Sequence, residues 1–320
     1  MHYDVFNGDA DGICSLVQLR LSSPKNSKLI TGVKRDISLL KKISPVKQDS
    51  VTVLDISMKK NYQELVDFLE LGVKIFYADH HQSGDLLSHE NFRSHINQSS
   101  NICTSLIINK YLSGKYQEWA IVGAYGDGMD KSARIIADKA DLSKDDRAQL
   151  RLLGECINYN SYGASEMDLL YHPSLLYQLL KRNHNPFNFI SNEASVYNKL
   201  LDSYRSDISK AKDVSPEIEN DNVSIIIFPD ELWSRRIIGV YANLLMYSDK
   251  NRAHALMILN KNRDYLVGVR APYNNKSGAD ILCSMFGGGG RRGAAGINNL
   301  PKKEKECFIK MFIKQFGTNA

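Results

Sequence analysis

Tyr3-Asp4-Val5-Phe6-Asn7-Gly8-Asp9-Ala10-Asp11-Gly12, followed by the apolar-periodic residues 13–21, is the stretch on which the fold of this chain turns. Residues 3–6 have the aromatic and β-branched character of a strand, and residues 13–21 the spacing of a helix. A polar loop closed by Gly12 joins them. The same arrangement recurs at residues 51–54, which run into Asp55, and at residues 73–78, which run into Asp79-His80-His81. A second helical stretch, residues 62–71, lies between those two strands. Strands alternating with helices predict a parallel α/β sheet. In open parallel sheets the loops at the carboxyl ends of strands form the ligand crevice, so the three polar clusters are expected to converge.

Asp9 and Asp11 are one residue apart, and two carboxylates held close together repel unless a cation lies between them. With Asp55, His80 and Asp127 they make a donor set of the kind that holds two hard divalent ions. Carboxylates with one imidazole favour Mn²⁺, with Mg²⁺ as substitute. Two such ions, about 3.5–4 Å apart, activate water and stabilise the entering and leaving oxygens of a phosphoryl group. Asp-x-Asp-Gly alone also suits a turn or a helix N-terminus, and Asp79-His80-His81 also suits a satisfied polar loop. The metal reading rests on the whole set in order.

Residues 142–211 are mostly helical in pattern, with breaks expected at Pro173 and Pro186. The polar, Pro216-containing stretch 213–222 reads as a linker. A second alternating unit follows, with strands at 223–228, 253–259 and 265–269, helices at 236–247 and 278–285, and a final helix at 302–316. The expected organisation is thus an N-terminal domain of residues 1–212, a linker at 213–222, and a smaller C-terminal α/β domain of residues 223–320. The Gly-rich segment Gly287-Gly288-Gly289-Gly290-Arg291-Arg292-Gly293-Ala294-Ala295-Gly296 is expected to form neither regular helix nor strand. Its small residues let a backbone approach a ligand, and its N–H groups can cradle an anion. Arg291 and Arg292 add forked, charge-assisted donors for phosphate. A P-loop is excluded, because no Gly-Lys-Ser/Thr ending is present.

Composition sets the outer limits. With 43% hydrophobic and 24% charged residues among 320, the chain is globular in character. No apolar run approaches the roughly 20 residues that span a bilayer, so no membrane partner is expected. The N-terminus lacks a basic head and a long apolar stretch, so no secretory signal is read. Cys14, Cys103, Cys156, Cys283 and Cys307 are scattered, with no Cys-x-x-Cys pair, as expected of reduced, buried thiols in a cytoplasm. Residues 221–320 hold 15 Lys and Arg against 8 Asp and Glu, whereas the first 220 residues carry −2 of the net +5. A basic C-terminal third suits an anionic ligand such as phosphate.

The motifs Asn7-Gly8-Asp9-Ala10-Asp11-Gly12, Val53-Leu54-Asp55, Asp79-His80-His81 and Gly126-Asp127-Gly128 resemble those of the DHH phosphoesterases. The resemblance implies that Asp9 and Asp55 hold one metal and that Asp11, Asp55, His80 and Asp127 hold the other, with Asp55 bridging. It implies that His81 faces the scissile phosphate and that Asp79 orients the histidine pair. Many members carry His at the position of Asn7, whose neutral amide is a poorer metal ligand. The Gly-rich segment resembles the closing Gly-Gly-Gly-His-x-x-Ala-Ala-Gly motif of the accompanying DHHA1 domain. Alignment on Ala294-Ala295-Gly296 puts Gly288, Gly289 and Gly290 in the glycine run and Arg291 where His is usual. Arg270 fits a position expected to meet substrate.

The two-domain layout resembles the stand-alone oligoribonucleases of the family. The implied reaction is metal-dependent phosphodiester hydrolysis of linear dinucleotides such as pGpG, or of very short oligoribonucleotides, to mononucleotides. Alternatives with the same metal residues are a single-strand DNA exonuclease, a cyclic-dinucleotide phosphodiesterase and a 3′-phosphoadenosine 5′-phosphate phosphatase. A non-catalytic nucleotide-binding module belongs to a different class, and the full set Asp9, Asp11, Asp55, His80 and Asp127 argues against it. Base preference and oligomeric state are not legible in the chain.

Overall fold

A computed structural model describes residues 1–260 and 262–317, and the chain divides into two compact units, Met1–Asp202 and Ser203–Ala320. The first opens with β1 (His2–Phe6), α1 (Ala10–Ser22), β2 (Lys28–Ile30), β3 (Ser50–Leu54), α2 (Tyr62–Glu70), β4 (Lys74–Asp79) and β5 (Phe92–Ile96). Its sheet runs β2-β1-β3-β4-β5 with every neighbouring pair parallel. The expected parallel α/β sheet is therefore present. β1 is buried along its whole length, as parallel strands covered on both faces are. One face packs Val5, Val51, Val53, Ile75 and Tyr77 against Leu65 and Phe68 of α2. The strand order reverses between β1 and β3, which makes their carboxyl ends the switch point of the sheet.

Two strands lie outside the sequence expectation. β2 has three residues, and β5, Phe92-Arg93-Ser94-His95-Ile96, is a half-exposed edge. Neither has an apolar run, because an edge strand covers only part of its surface.

Helices complete the unit: α3 (Thr104–Tyr111), α4 (Gln117–Gly126), α5 (Asp130–Lys139), α6 (Lys144–Asn160), α7 (Pro173–Leu180) and α8 (Pro186–Asn192). Pro173 and Pro186 start helices, where the missing N–H leaves no bond unmade and φ is already suitable. α9 (Ala194–Lys212) runs through the division between the units.

On the other face of β1, His2, Asp4 and Phe6 point toward α1. The Arg20 guanidinium grips Asp4 with two nitrogens, Nε at 2.9 Å from Oδ2, while Ser27 Oγ donates to Oδ2 at 2.6 Å. His2 Nε2 lies 3.1 Å from Asp4 Oδ1, and Thr52 Oγ1 accepts from Arg20 at 3.1 Å. A fully buried carboxylate is tolerated here because every side of it is matched.

The second unit contains β6 (Ile218–Glu219), β7 (Val223–Phe228), α10 (Leu232–Ser248), β8 (Ala253–Leu259), β9 (Asp264–Arg270), α11 (Ala279–Ser284), β10 (Gly289–Arg291), β11 (Ala294–Pro301) and α12 (Lys305–Phe316). The sheet order is β10-β11-β9-β8-β7-β6, with only β7 and β8 parallel. Its core joins Val223, Ile225, Met257, Val267 and Val269 to Phe308 and Phe312 of α12.

Two expectations are corrected here. The stretch 213–222 is not a free linker: Ile218 pairs with Ile225 and packs against the core, so its polar neighbours conceal an edge strand. The Gly-rich segment is a regular antiparallel hairpin, pairing Gly289 with Gly296, Gly290 with Ala295 and Arg291 with Ala294 across the two-residue turn Arg292-Gly293. Its lack of side chains is what allows the pairing. Gly290 has φ 152°, and a Cβ there would lie 2.5 Å from Ala295 Cα.

The cysteines are free, and four are buried, but Cys307 is exposed, against the expectation of five buried thiols. Among the described residues, no helix is long and apolar enough to cross a membrane.

Candidate metal centre

The site grows from the carboxyl ends of β1, β3 and β4. Asp9 is the N-cap of α1, its Oδ1 accepting from Gly12 N at 3.1 Å, and Asp11 lies in the first turn. The loop after β1 is thus shorter than expected: α1 begins at Ala10, and Gly12 is already helical. Both carboxylates suit the positive end of a helix. Asp11 is fixed further by the backbone N–H groups of Thr104 and Ser105, each 2.7 Å from one of its oxygens.

Asp55 follows β3 with φ 60°, a left-handed conformation that Asp tolerates better than most residues. Its N–H donates to Ala78 O at 3.0 Å, and Thr104 Oγ1 donates to its Oδ1 at 3.1 Å. Such strain recurs at functional positions. Asp127 does not follow a strand; it caps the C-terminus of α4. It reaches the cluster because α4 abuts α1 closely, where a Cβ on Gly126 would lie 2.3 Å from Ala10 Cβ.

After β4 come Asp79, His80 and His81. His80 Nε2 stands among three carboxylates, 3.5 Å from Asp55 Oδ1, 3.6 Å from Asp127 Oδ2 and 3.9 Å from Asp11 Oδ2. Asp79 Oδ1 lies 2.7 Å from His81 Nδ1, and the His81 side chain is 33% exposed, so its other nitrogen is the accessible one. Among the described residues, two groups of donors lie within 4.8 Å of one another: Asp55-His80-His81 and Asp11-His80-Asp127. Asp9 is in neither.

The charges are unbalanced. Burial, with the Asp11 and Asp9 charges, pushes the Asp55 carboxyl well above its ordinary pKa. Burial also raises Asp127, against the pull of Lys34. Burial opposes ionisation of Asp9 too, but Lys34 outweighs it and holds that carboxyl below its usual value. For His81, burial disfavours the cation, yet the Asp79 hydrogen bond and the Asp55 charge prevail and raise its pKa. Asp127 Oδ2 and Asp79 Oδ2 are buried without hydrogen-bond partners. An oxygen-rich cluster with one imidazole, charges that repel and an unsatisfied carboxylate oxygen beside that imidazole fits a hard divalent cation.

Three participants carry no signal in the motifs. Lys34 donates to Asp9 Oδ2 and, at 3.0 Å, to Asn158 Oδ1. It follows β2, so recognition of that short strand would have put it at another carboxyl end of the sheet. Thr104 and Ser105 begin α3, and a Thr-Ser pair ahead of an apolar run is a helix-start signal. Asn7 uses its amide locally: Oδ1 accepts from Asp9 N at 3.3 Å and Nδ2 donates to Lys34 O at 3.3 Å.

In the second unit, Arg270 is engaged within its own surroundings. Its Nε donates to Asn243 Oδ1 at 2.6 Å, and other nitrogens donate to Val269 O and Gly239 O at 3.0 and 3.3 Å. Arg291 and Arg292 are exposed, as are Gly289 and Gly290, while Gly288 is half-buried.

No family model and no curated protein matches the sequence. Solved structures do. The chain superposes on exonuclease RecJ bound to manganese with TM-score 0.61 and 14% identity, covering 97% of this chain and 88% of that one. The DHH domain of a member of a ribosomal-protein family gives TM-score 0.63 and 13% identity over 98% of this chain and 85% of that one. A pGpG-specific phosphodiesterase, PggH of Vibrio cholerae, gives TM-score 0.57 and 12% identity over 98% of both chains.

Proposed function

We propose, from a fold that is that of the RecJ-related DHH-domain proteins, that this chain is a divalent-cation-dependent phosphodiesterase acting on linear dinucleotides of the pGpG type and very short oligoribonucleotides. The observation that carries the reading is the convergence of Asp11, Asp55 and Asp127 on His80 Nε2, with a buried carboxylate oxygen left unmatched. Those four residues would hold the cation, Mn²⁺ foremost. When bound, such a cation supplies positive charge against the phosphoryl oxygens and makes water a nucleophile near neutral pH.

The chain's own residues do the rest. Thr104 and Ser105 fix the Asp11 carboxylate, and the Thr104 hydroxyl fixes Asp55. His81, anchored through Nδ1 on Asp79 and favoured as the cation by Asp79 and Asp55, offers Nε2–H as a donor to a phosphate oxygen. In the second unit, the exposed guanidiniums of Arg291 and Arg292 are donors suited to an anionic ligand. The dinucleotide class is favoured because a pGpG phosphodiesterase of matching length has the same fold. Free, dispersed cysteines suit a cytoplasmic setting.

The test is a time course on labelled RNAs and DNAs of two to seven nucleotides with Mn²⁺. Dinucleotides and short RNAs are expected to yield mononucleotides. Asp55→Ala should lower turnover by more than about a hundredfold, beyond the loss typical of residues behind metal ligands, with circular dichroism unchanged. Turnover that persists in Asp55→Ala would remove the site, and a preference for long single-stranded DNA would replace the substrate class.

A further inference from the structure

The Lys34 ammonium stands beside two carboxylates of the cluster, Asp9 and Asp127. Besides its bonds to Asp9 Oδ2 and Asn158 Oδ1, Nζ lies 3.7 Å from Asp127 Oδ1. The residue is pinned on both sides: its N–H donates to Ser161 O at 2.9 Å, and its carbonyl accepts from Asn7 Nδ2 at 3.3 Å. Only 26% of its side chain is exposed. By the resemblance to the DHH phosphoesterases, Asn7 stands where many members carry His. Here its amide instead holds the peptide of a lysine that reaches Asp9.

Asp127 is divided accordingly. Oδ1 faces Lys34, while Oδ2, buried and unmatched, faces His80. Asp9, paired with the ammonium, lies outside both donor groups around His80. A second cation on Asp9 would stand beside an ammonium already bonded to its Oδ2, in surroundings where like charges repel far more than in water.

We propose that Lys34 takes the place of one of two divalent cations, so that the centre binds a single ion through Asp11, Asp55, His80 and Asp127 while the ammonium neutralises Asp9. The proposal rests on the reading of the cluster as a metal centre and changes its stoichiometry. It makes Lys34 a positioning residue, holding Asp9 and one oxygen of Asp127 without touching the reacting atoms.

The experiment is Mn²⁺ titration of the full chain by calorimetry and electron paramagnetic resonance. The wild-type chain is expected to bind one Mn²⁺ with a mononuclear six-line spectrum. Lys34→Met is expected to bind two, with an exchange-coupled spectrum. Asp9→Asn, a second variant that preserves shape, is expected to keep the single ion. Two ions in the wild-type chain would overturn the proposal and leave the metal-centre reading standing. One ion in both the wild-type chain and Lys34→Met, or loss of the ion in Asp9→Asn, would overturn the role given to Lys34. No binding by the wild-type chain would overturn both readings together.

Discussion

Two buried carboxylate clusters on the same sheet resolve their charge in opposite ways. Asp4, inside β1, is enclosed by Arg20, Ser27, His2 and Thr52. Burial works against its charge, but the bonds to Arg20 and His2 prevail and hold its pKa far below the ordinary carboxylate range. Asp55, just past the end of β3, faces Asp9, Asp11 and Asp127, and its pKa is driven up. One cluster is complete in itself; the other leaves a buried carboxylate oxygen of Asp127 unmatched. Depth of burial does not separate Asp4 from Asp55, whereas the direction of the pKa shift does.

The largest expected effect tests the complete cluster. Arg20→Met leaves Asp4 as an unmatched buried charge and should cost about 3–5 kcal/mol in urea unfolding at neutral pH. The sign with pH follows from the depressed pKa. The contribution of Asp4 is full above the unfolded value, about 3.9, and is lost as pH falls through the folded one, so the wild-type advantage over Arg20→Met should shrink in acid. An equal advantage at pH 7 and pH 2 would break the comparison.

A third way of handling a buried titratable group sharpens it. His254, on β8, is 2% exposed, and burial brings its pKa down to about 4. The ring stays neutral while the unfolded chain takes up a proton, so its contribution is full above about pH 6.5 and is lost as pH falls toward the folded value. Between pH 7 and pH 5 the loss should be on the order of 2 kcal/mol. His254→Leu should flatten that part of the stability profile; an unchanged slope would assign it to other groups.

The smallest effect separates the two carboxylates most directly. In metal-free protein at pH 7, Asp55→Asn removes a disfavoured charge while keeping a residue suited to the left-handed backbone. It should raise the thermal midpoint of the metal-free chain by about 2–4 °C, the equivalent of about 1 kcal/mol in a unit of this size. Mn²⁺ should then stabilise the wild-type chain and not the variant. A lower midpoint in metal-free Asp55→Asn would show that Asp55 is already satisfied.

The legible parts of the sequence were those where one short segment held the whole signal. The strands ending at Phe6, Leu54 and Asp79 are buried on both faces, so their apolar runs stand out, and the residues after them collect at the switch point. Lys34 was hidden because Thr31-Gly32-Val33-Lys34-Arg35-Asp36 has the composition of a surface loop, while its partners are as remote as Asn158. Thr104 meets Asp11 and Asp55 from another part of the chain, and Asp127 arrives on a helix end. Periodicity describes what neighbours along the chain do, and these contacts are made across it. The glycine tract misled for a different reason: absent side chains read as absent structure, yet they are the condition for its strand pairing.

That hairpin fixes the place of Gly290 within the glycine tract. With the turn limited to Arg292 and Gly293, each position before it has a fixed opposite number, and only a residue without a side chain fits across from Ala295. A side chain placed there would meet the Ala295 backbone. The two-residue turn, not the number of glycines, sets Arg291 opposite Ala294.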